Sequence, residues 1–558
     1  MNRHALHFLL FALCAAAPAS PGVPGPLYGV CSHITRDGFS RREESCRHIA
    51  EAGIGAVRSD VDWERCQPKR GAPFDFSFYD AALESCGRRG LRFLPILMRP
   101  PQWASPLWEH LEEWGAFVEA FVRRYGARCP DVEILNEPNL RAFWGAEPDP
   151  DRYFEVLKAA YEAAKRANPR VRVLLGGLNG VPLRYIRRLY ERGGAAYFDV
   201  MCVHPYTHPM PPDPGLAREL DALRALMAEF GDGDKPIAIT ELGWPTHDTR
   251  VEGLPLLRAL LRAAHPERDV WRCVYAATSP GPGGGPPQDV ARAVAGALPP
   301  GSSCEACFGA RLRERLAAGD VDAVIYPFDE TFPVDTFEDV LAFVRDGGTL
   351  VDLGGSPMWY PCRETAPGVF ERDPVGENAE PLRTRMRLGL AAFWTDPALP
   401  REGRAFPTAD ALAAGYKGDP AGERVHRFQT PEHLLPGDAF VPLLAFRDAS
   451  GRSRAAASLV RYGAHGWKGC VAVGGSIGRG SAAAGASEED QARYLVRALE
   501  IALERGIDSF YWYEFRSPEK DPHYSEDHFG LVHKDFSPKP ALAAYRDFIA
   551  NRPAGPGR

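Results

Sequence analysis

The chain has 558 residues, too many for one ordinary domain, and its 45% hydrophobic and 25% charged residues are a globular mix. A net charge of −7, with no run of Lys and Arg, excludes the electrostatic footprint of a nucleic-acid binder. Aromatic residues reach 11%, which sugar-binding clefts and cores both use.

The N-terminus reads as a signal peptide over residues 1–19: basic MNRH, apolar ALHFLLFALCAAA, then small residues around a cut after Ala19. The apolar run falls short of the roughly 20 residues a spanning helix needs. No other segment could span a membrane. Leu13 occupies the place where a lipid-anchored cut before Cys14 wants a small residue. The mature chain is expected to be secreted or periplasmic. Its cysteines are scattered and odd in number, so they do not form a disulfide framework; buried thiols with at most one bridge are expected. Cys304 and Cys307 form a lone C-x-x-C without the second pair a zinc site needs.

From residue 27 the chain alternates short apolar runs with amphipathic helical patterns. The runs are LYGVC, IGAVRSD, LRFLPILM, VEILNEP, VRVLLGG, FDVMCVHPY and PIAITE. Between them lie SRREESCRHIAEAG, EEWGAFVEAFVRRYG and DRYFEVLKAAYEAAKRA. This repetition predicts an α/β fold with a parallel sheet. Seven units without a G-x-G-x-x-G fingerprint favour a (β/α)8 TIM barrel.

The eighth unit arrives late. Glu137 and Glu241 are three units of about 35 residues apart, a normal barrel step. The next strand pattern is IDSFYWYEF at residue 507, preceded by the helix SEEDQARYLVRALEIALERG and followed by KPALAAYRDFIAN. The barrel is therefore assigned to 20–247 and 485–558, and 248–484 to an inserted domain. There VWRCVYA, DAVIYPF and TLVDLGG read as buried parallel strands. GLPLLRALLRAA, QDVARAVAGAL and FEDVLAFVRDGG read as helices, and SPGPGGGPP as a loop. This pattern predicts a flavodoxin-like, doubly wound domain. Residues 363–450 carry no clear pattern.

Strand carboxyl ends face the working mouth of such a barrel. Glu137 closes the fourth strand in ILNEPN and Glu241 the seventh in AITELGW. Either alone is commonly an ion-pair partner. Two across one cleft can break a glycosidic bond, one protonating the leaving oxygen while the other attacks or activates water.

Asn136-Glu137-Pro138 with Glu241 resembles the retaining glycoside hydrolases of clan A, of family 39 or family 5 type. The likeness covers 27–247 and 487–552 and takes in Arg58 on strand two, His204-Pro205-Tyr206 ending strand six, Trp512 on strand eight and HFGLVHKDFSPKPALAAYRDF from His528. It implies a secreted enzyme cleaving a plant- or microbe-derived oligo- or polysaccharide by double displacement, with Glu137 as acid and then base and Glu241 as nucleophile. Carboxyl groups about 5 Å apart do not cheaply both ionise, so Glu137 is expected to carry the proton and Glu241 the charge, favoured by Arg58 and Tyr206. No cofactor and no metal are implied.

The same resemblance assigns substrate contacts. Asn136 would bind a sugar 2-hydroxyl, a reading favoured over a strand-end turn former by its neighbour Glu137. His204 and Tyr206 are substrate-binding candidates or core residues. Trp512 is a ring platform or barrel packing; Trp144 and Trp103 are weaker platform candidates or loop packing, and Trp244, after the nucleophile, is read as packing more than binding. The insert, through VDAVIYPFDETFP and FVRDGGTLVDLGGSPMWYP, resembles class I glutamine amidotransferase-like domains. Their nucleophilic Cys is missing from the comparable turn Gly354-Gly355-Ser356, so the insert is expected to be non-catalytic and to wall the cleft, bind sugar or join subunits. The competing reading is a catalytically silent carbohydrate-binding or scaffolding protein on the same barrel.

Overall fold

A computed structural model describes residues 27–36, 38–208, 210–247, 253–276, 287–326, 331–353, 358, 360–366, 369–372, 380–392, 403–417, 427–448, 450–474, 485–520 and 525–551. The signal peptide, the SPGPGGGPP loop and the Gly354-Gly355-Ser356 turn lie outside them.

Eight parallel strands close into a barrel. They are β1 (Leu27–Cys31), β2 (Ala56–Asp62), β3 (Arg92–Met98), β4 (Asp131–Asn136), β5 (Arg172–Asn179), β6 (Met201–His204), β7 (Ile237–Leu242) and β8 (Ser509–Trp512). Strands covered on both faces read as largely apolar runs; β2, AVRSDVD, departs most from this and carries Arg58. β8 closes the ring by pairing Trp512 with Val30 of β1 and Ser509 with Ala238 of β7.

Helices pack outside the ring. Pro150–Ala167 starts where Asp149 accepts hydrogen bonds from the Asp151 and Arg152 amides, with Pro150 in the first turn. Its apolar face (Tyr153, Val156, Leu157, Ala160, Ala164) is buried. At the strand amino ends, Asp131 bridges Arg92 and Arg172, and Arg172 reaches Asp508, so β3, β4, β5 and the entry to β8 are joined by charge. That end of a barrel serves stability, and the opposite end serves chemistry.

After β7 the chain leaves the ring at His247 and re-enters at Gly485. The two points touch: a Cβ added to Gly485 would lie 2.2 Å from the His247 carbonyl oxygen. Ser487 then caps the helix Glu488–Glu504, accepting from the Asp490 amide. Gln491, fully buried, ties that helix to the Trp244 carbonyl beyond β7.

Between exit and return lies a ten-stranded sheet. Five strands are parallel: Arg272–Ala276, Ser303–Cys307, Ala323–Tyr326, Thr349–Asp352 and Cys470–Val473. Numbered in chain order, they stand side by side as second, first, third, fourth, fifth. Residues 363–450, blank to sequence reading, supply much of an antiparallel wing: Gly389–Ala392, Gly403–Pro407, Arg427–Thr430 and Ala439–Asp448 join Ser453–Arg461. A separate three-stranded sheet holds Thr331–Pro333, Tyr360–Ala366 and Val369–Arg372. Its Cys362 packs with Phe308 against Met210, in the loop after β6. All eleven cysteines among the described residues are free thiols, ten of them buried.

Candidate active site

The carboxyl ends of β2, β4, β5, β6 and β7 converge on one buried polar cluster. Arg58 on β2, 2% exposed, is its hub. Its Nε and Nη2 donate to Glu133 (2.7 and 2.9 Å), Nη2 also donates to Asn136 Oδ1 (2.8 Å), and Nη1 donates to Glu241 Oε1 (2.5 Å). A buried guanidinium needs this much carboxylate, because an uncompensated buried charge is costly. Here Glu133 and Glu241 outweigh the burial and hold Arg58 charged.

Glu241 is an ionised carboxylate by the same logic. Burial pushes its pKa up, but the Arg58 guanidinium, the Tyr206 hydroxyl and, while its ring carries a second proton, His204 push harder, so the net shift is downward. Tyr206 donates to Glu241 Oε2 at 3.0 Å, and burial together with that negative charge keeps the phenol well above its usual value.

Glu137 sits just past β4 with its backbone in the left-handed region, φ +44°. For a residue with a side chain this costs about 1–3 kcal/mol and persists only where neighbours enforce it. The Glu137 amide donates to the Gly177 carbonyl (2.9 Å), and its own carbonyl accepts from Leu140 (2.8 Å). The bend aims the carboxyl at the mouth, where Oε1 meets His204 Nδ1 (2.9 Å) and accepts from Asn179 Nδ2 (3.2 Å). Asn139 and Asn179 brace one another: Asn139 Nδ2 donates to the Asn179 carbonyl and the Asn179 amide donates to Asn139 Oδ1, each at 2.9 Å.

Glu137, His204 and Glu241 each offer one ligand atom, and these atoms lie within 4.8 Å of one another. A divalent ion would find two oxygens and one nitrogen there. The pairing requires none, since Arg58 supplies the positive charge at Glu241 and His204 pairs with Glu137. What remains is two carboxylates facing across a narrow gap.

Arg58, Asn136, Glu137, His204, Tyr206 and Glu241, all expected from sequence, are thus brought together. Two expectations are corrected. Trp512 is fully buried, its Nε1 donating to the Phe529 carbonyl, and its ring packs beside Trp244. Strand alternation explains this: Tyr511 points into the barrel and Trp512 outward, toward the helices. Trp144 is 7% exposed and stacks on Trp108 at 4.9 Å with Tyr153 at its edge, so its ring is packing and not an open platform. Trp103 and Trp244 are also in packing, their Nε1 atoms donating to the Gln67 and Met210 carbonyls.

Several site residues were missed. Glu133 and Thr240, both fully buried, support Arg58 and His204. Glu133 had a signal, a carboxylate in mid-run of an apolar strand, which must find a partner. Tyr513, one residue beyond Trp512, turns to the mouth, its ring edge-on to Tyr206 and its hydroxyl donating to Glu526 Oε2 (3.3 Å). Solvent reaches Glu526 at the rim, yet the enclosing chain and the charges of Glu241 and Glu137 push its carboxyl up to about 7. On the β1 side, burial and Arg36 push His33 down to about 4, and burial raises its neighbour Glu514 well above the carboxylate range.

No family model matches the chain. A beta-glucosidase from Agrobacterium sp. is 26% identical over 214 residues, covering 32% of this chain and 46% of that protein. A beta-galactosidase from Haloferax lucentense is 29% identical over 136 residues, 24% of this chain and 19% of that one. The chain spans half or less of the length of the curated relatives it matches. Among solved structures, a family 39 glycoside hydrolase from Bacteroides cellulosilyticus superposes with a TM-score of 0.46 at 15% identity, covering 95% of this chain and 64% of that one. A family 39 beta-xylosidase from Caulobacter crescentus gives 0.34 at 19% identity, covering 43% and 60%.

Proposed function

We propose that the protein is a retaining glycoside hydrolase, with Glu137 as acid and base and Glu241 as nucleophile. One observation carries this reading: carboxylate oxygens of Glu137 and Glu241 lie within 4.8 Å at the carboxyl-terminal mouth of the barrel. Retention of configuration goes with carboxyl groups roughly 5 Å apart, while inversion needs about 6.5–9.5 Å to admit a water. The similarity to a beta-glucosidase and a beta-galactosidase supports the same chemistry.

In this mechanism ionised Glu241 attacks the anomeric carbon while Glu137 gives its proton to the departing oxygen. Arg58 and Tyr206 keep Glu241 charged and aimed. Esterification removes the Glu241 charge, and Glu137 then takes a proton from the water that releases the sugar. Asn136 Oδ1 is held by Arg58, which turns the Asn136 amide hydrogens toward a sugar hydroxyl. Tyr513 replaces Trp512 as the aromatic wall.

The test is a panel of aryl glycosides followed by trapping with the matching 2-fluoro sugar. The label is expected on Glu241, and a label on any other residue refutes the assignment. Glu137→Ala should lose turnover by several orders of magnitude on substrates with poor leaving groups.

Residues 248–484 are read as a flavodoxin-like domain inserted after β7, on the strength of the second-first-third-fourth-fifth strand order; export of the chain is read from the sequence pattern of residues 1–19 alone. It walls the cleft on the β6 side, where Cys362 and Phe308 meet Met210. Replacing 250–484 by a short linker should change the ratio of rates on polymeric and aryl substrates; an unchanged ratio removes that role.

A further inference from the structure

Four buried side chains from β4, β6 and β7 form an unbroken chain: Glu133, Thr240, His204, Glu137. Glu133, Thr240 and His204 are fully buried, so their hydrogen bonds must be closed with protein atoms. Counting donors then fixes where the protons are.

Glu133 Oε1 accepts from Arg58 Nη2 (2.9 Å), from the Gly177 amide (2.9 Å) and from Thr240 Oγ1 (3.2 Å). A threonine hydroxyl has a single proton. Directed at Glu133, it leaves Thr240 Oγ1 with lone pairs alone for His204 Nε2, 3.0 Å away. His204 Nε2 must therefore carry a hydrogen. At the other side of the ring, Nδ1 and Glu137 Oε1 stand 2.9 Å apart. Two bare lone pairs would repel there, so that contact holds a proton. On the Nε2 side there is no room for water to change the count. A Cβ on Gly177 would lie 2.0 Å from His204 Nε2, 2.7 Å from Thr240 Oγ1 and 2.8 Å from Glu133 Oε1, so bare backbone fills the gap.

We propose that Thr240, anchored by Glu133, is a positioning residue that fixes His204 with Nε2 protonated, so that the proton in the Nδ1–Oε1 contact is the one Glu137 delivers. This rests on the glycosidase reading. The proton passes from Glu137 to the glycosidic oxygen. The carbon–oxygen bond breaks, its electron pair stays on that oxygen, and Glu241 supplies the new bond. Glu137 is left anionic against the Nδ1 lone pair, a repulsion that drives it to take a proton from the incoming water. The charged and titratable groups around this pair are Arg58 on β2, Glu241 on β7, Tyr206 after β6, and Tyr513 and Glu526 after β8. Thr240 is the hydrogen-bond partner of Nε2, with the Gly177 backbone packed beside it.

The test has two arms on the full-length protein. In the first, 15N-histidine NMR, with His204 assigned by its loss in His204→Gln, reads the ring directly. Wild type and Thr240→Ser should show protonated Nε2 and Thr240→Val protonated Nδ1. A proton on Nδ1 alone in wild type overturns the proposal, and this arm needs no substrate. In the second, Thr240→Val should lose about 10–100-fold in kcat on aryl glycosides with poor leaving groups, which need a general acid. It should lose little on dinitrophenyl glycosides, and Thr240→Ser should restore most of the loss. Equal loss for all leaving groups, or no loss, overturns the proposal. If wild type cleaves no glycoside, the functional reading fails while the NMR arm still decides the role of Thr240.

Discussion

Arg58 Nη1 lies 2.5 Å from Glu241 Oε1, which joins the second strand to the seventh across the barrel mouth. The same guanidinium grips Glu133 with two other nitrogens, so one cation serves two carboxylates. Removing one partner of a buried pair costs about 3–5 kcal/mol, because the other is left uncompensated. Arg58→Leu should therefore lower unfolding stability by at least this amount in urea titration. Arg58→Lys keeps the charge but not the fork, so it should recover part of the stability and little of the activity.

Glu241 works as an ionised nucleophile, and its pKa is depressed below the ordinary carboxylate value of about 4.3. The acid limb of kcat/KM should accordingly lie below that pH, activity falling only as pH drops through the depressed value. A hydrogen bond to a charged group is worth about 1.5–3 kcal/mol, or about one to two pH units. Tyr206→Phe removes one, so its acid limb should move upward by up to that amount. An unmoved limb would assign the limb to another group.

Trp512 and Tyr513 are neighbours with opposite fates. Trp512→Phe should destabilise the barrel through a cavity beside Trp244 and leave KM within about twofold, while Tyr513→Ala should raise KM with little change in stability. Thermal melts and steady-state kinetics on both variants decide this.

That pair also shows where sequence legibility stopped. The barrel could be read from its repeated apolar runs, and Glu137 with Glu241 because two of those runs deliver a carboxylate at their ends. Which of two adjacent aromatics faces the mouth depends on strand phase, and β8 is too short to display its phase. Thr240 was invisible because its role comes from bonds to residues 36 and 107 positions away. Stretches such as GRAFP and RFQT mix polar and apolar residues, and only pairing with the long strands Ala439–Asp448 and Ser453–Arg461 makes them sheet.

Lys539 is 1% exposed and donates to Thr246, Ser517 and the His528 carbonyl, tying the loop after β7 to the loops after β8. Burial lowers its pKa to about 8 from 10.5. Between those values the unfolded chain binds more protons than the folded one, so stability must rise with pH, by about 3 kcal/mol in total. Comparing urea unfolding from pH 7.5 to 10.5 for wild type and Lys539→Met should show this rise as a difference between the two. Parallel curves would mean that Lys539 titrates normally.

Gly177→Ala places a methyl group within 2.0 Å of His204 Nε2. The surrounding atoms belong to a buried polar cluster with no slack, so the substitution should cost about 3 kcal/mol or more and abolish turnover. Circular dichroism melts with activity on the same sample check both.

The touching ends at His247 and Gly485 have a consequence for synthesis on the ribosome. β8 is made more than 260 residues after β7, so at about 5–20 residues per second the barrel waits roughly 13–50 s for its last stave. Throughout that interval β1 and β7 are open edges with unpaired backbone, the condition that invites aggregation. The intervening sheet has cores of its own, on its two faces, and can fold during the wait. Its closure brings residue 485 back beside residue 247 and so delivers the last strand to its slot. The ring can therefore close only after the chain of the second sheet has been made.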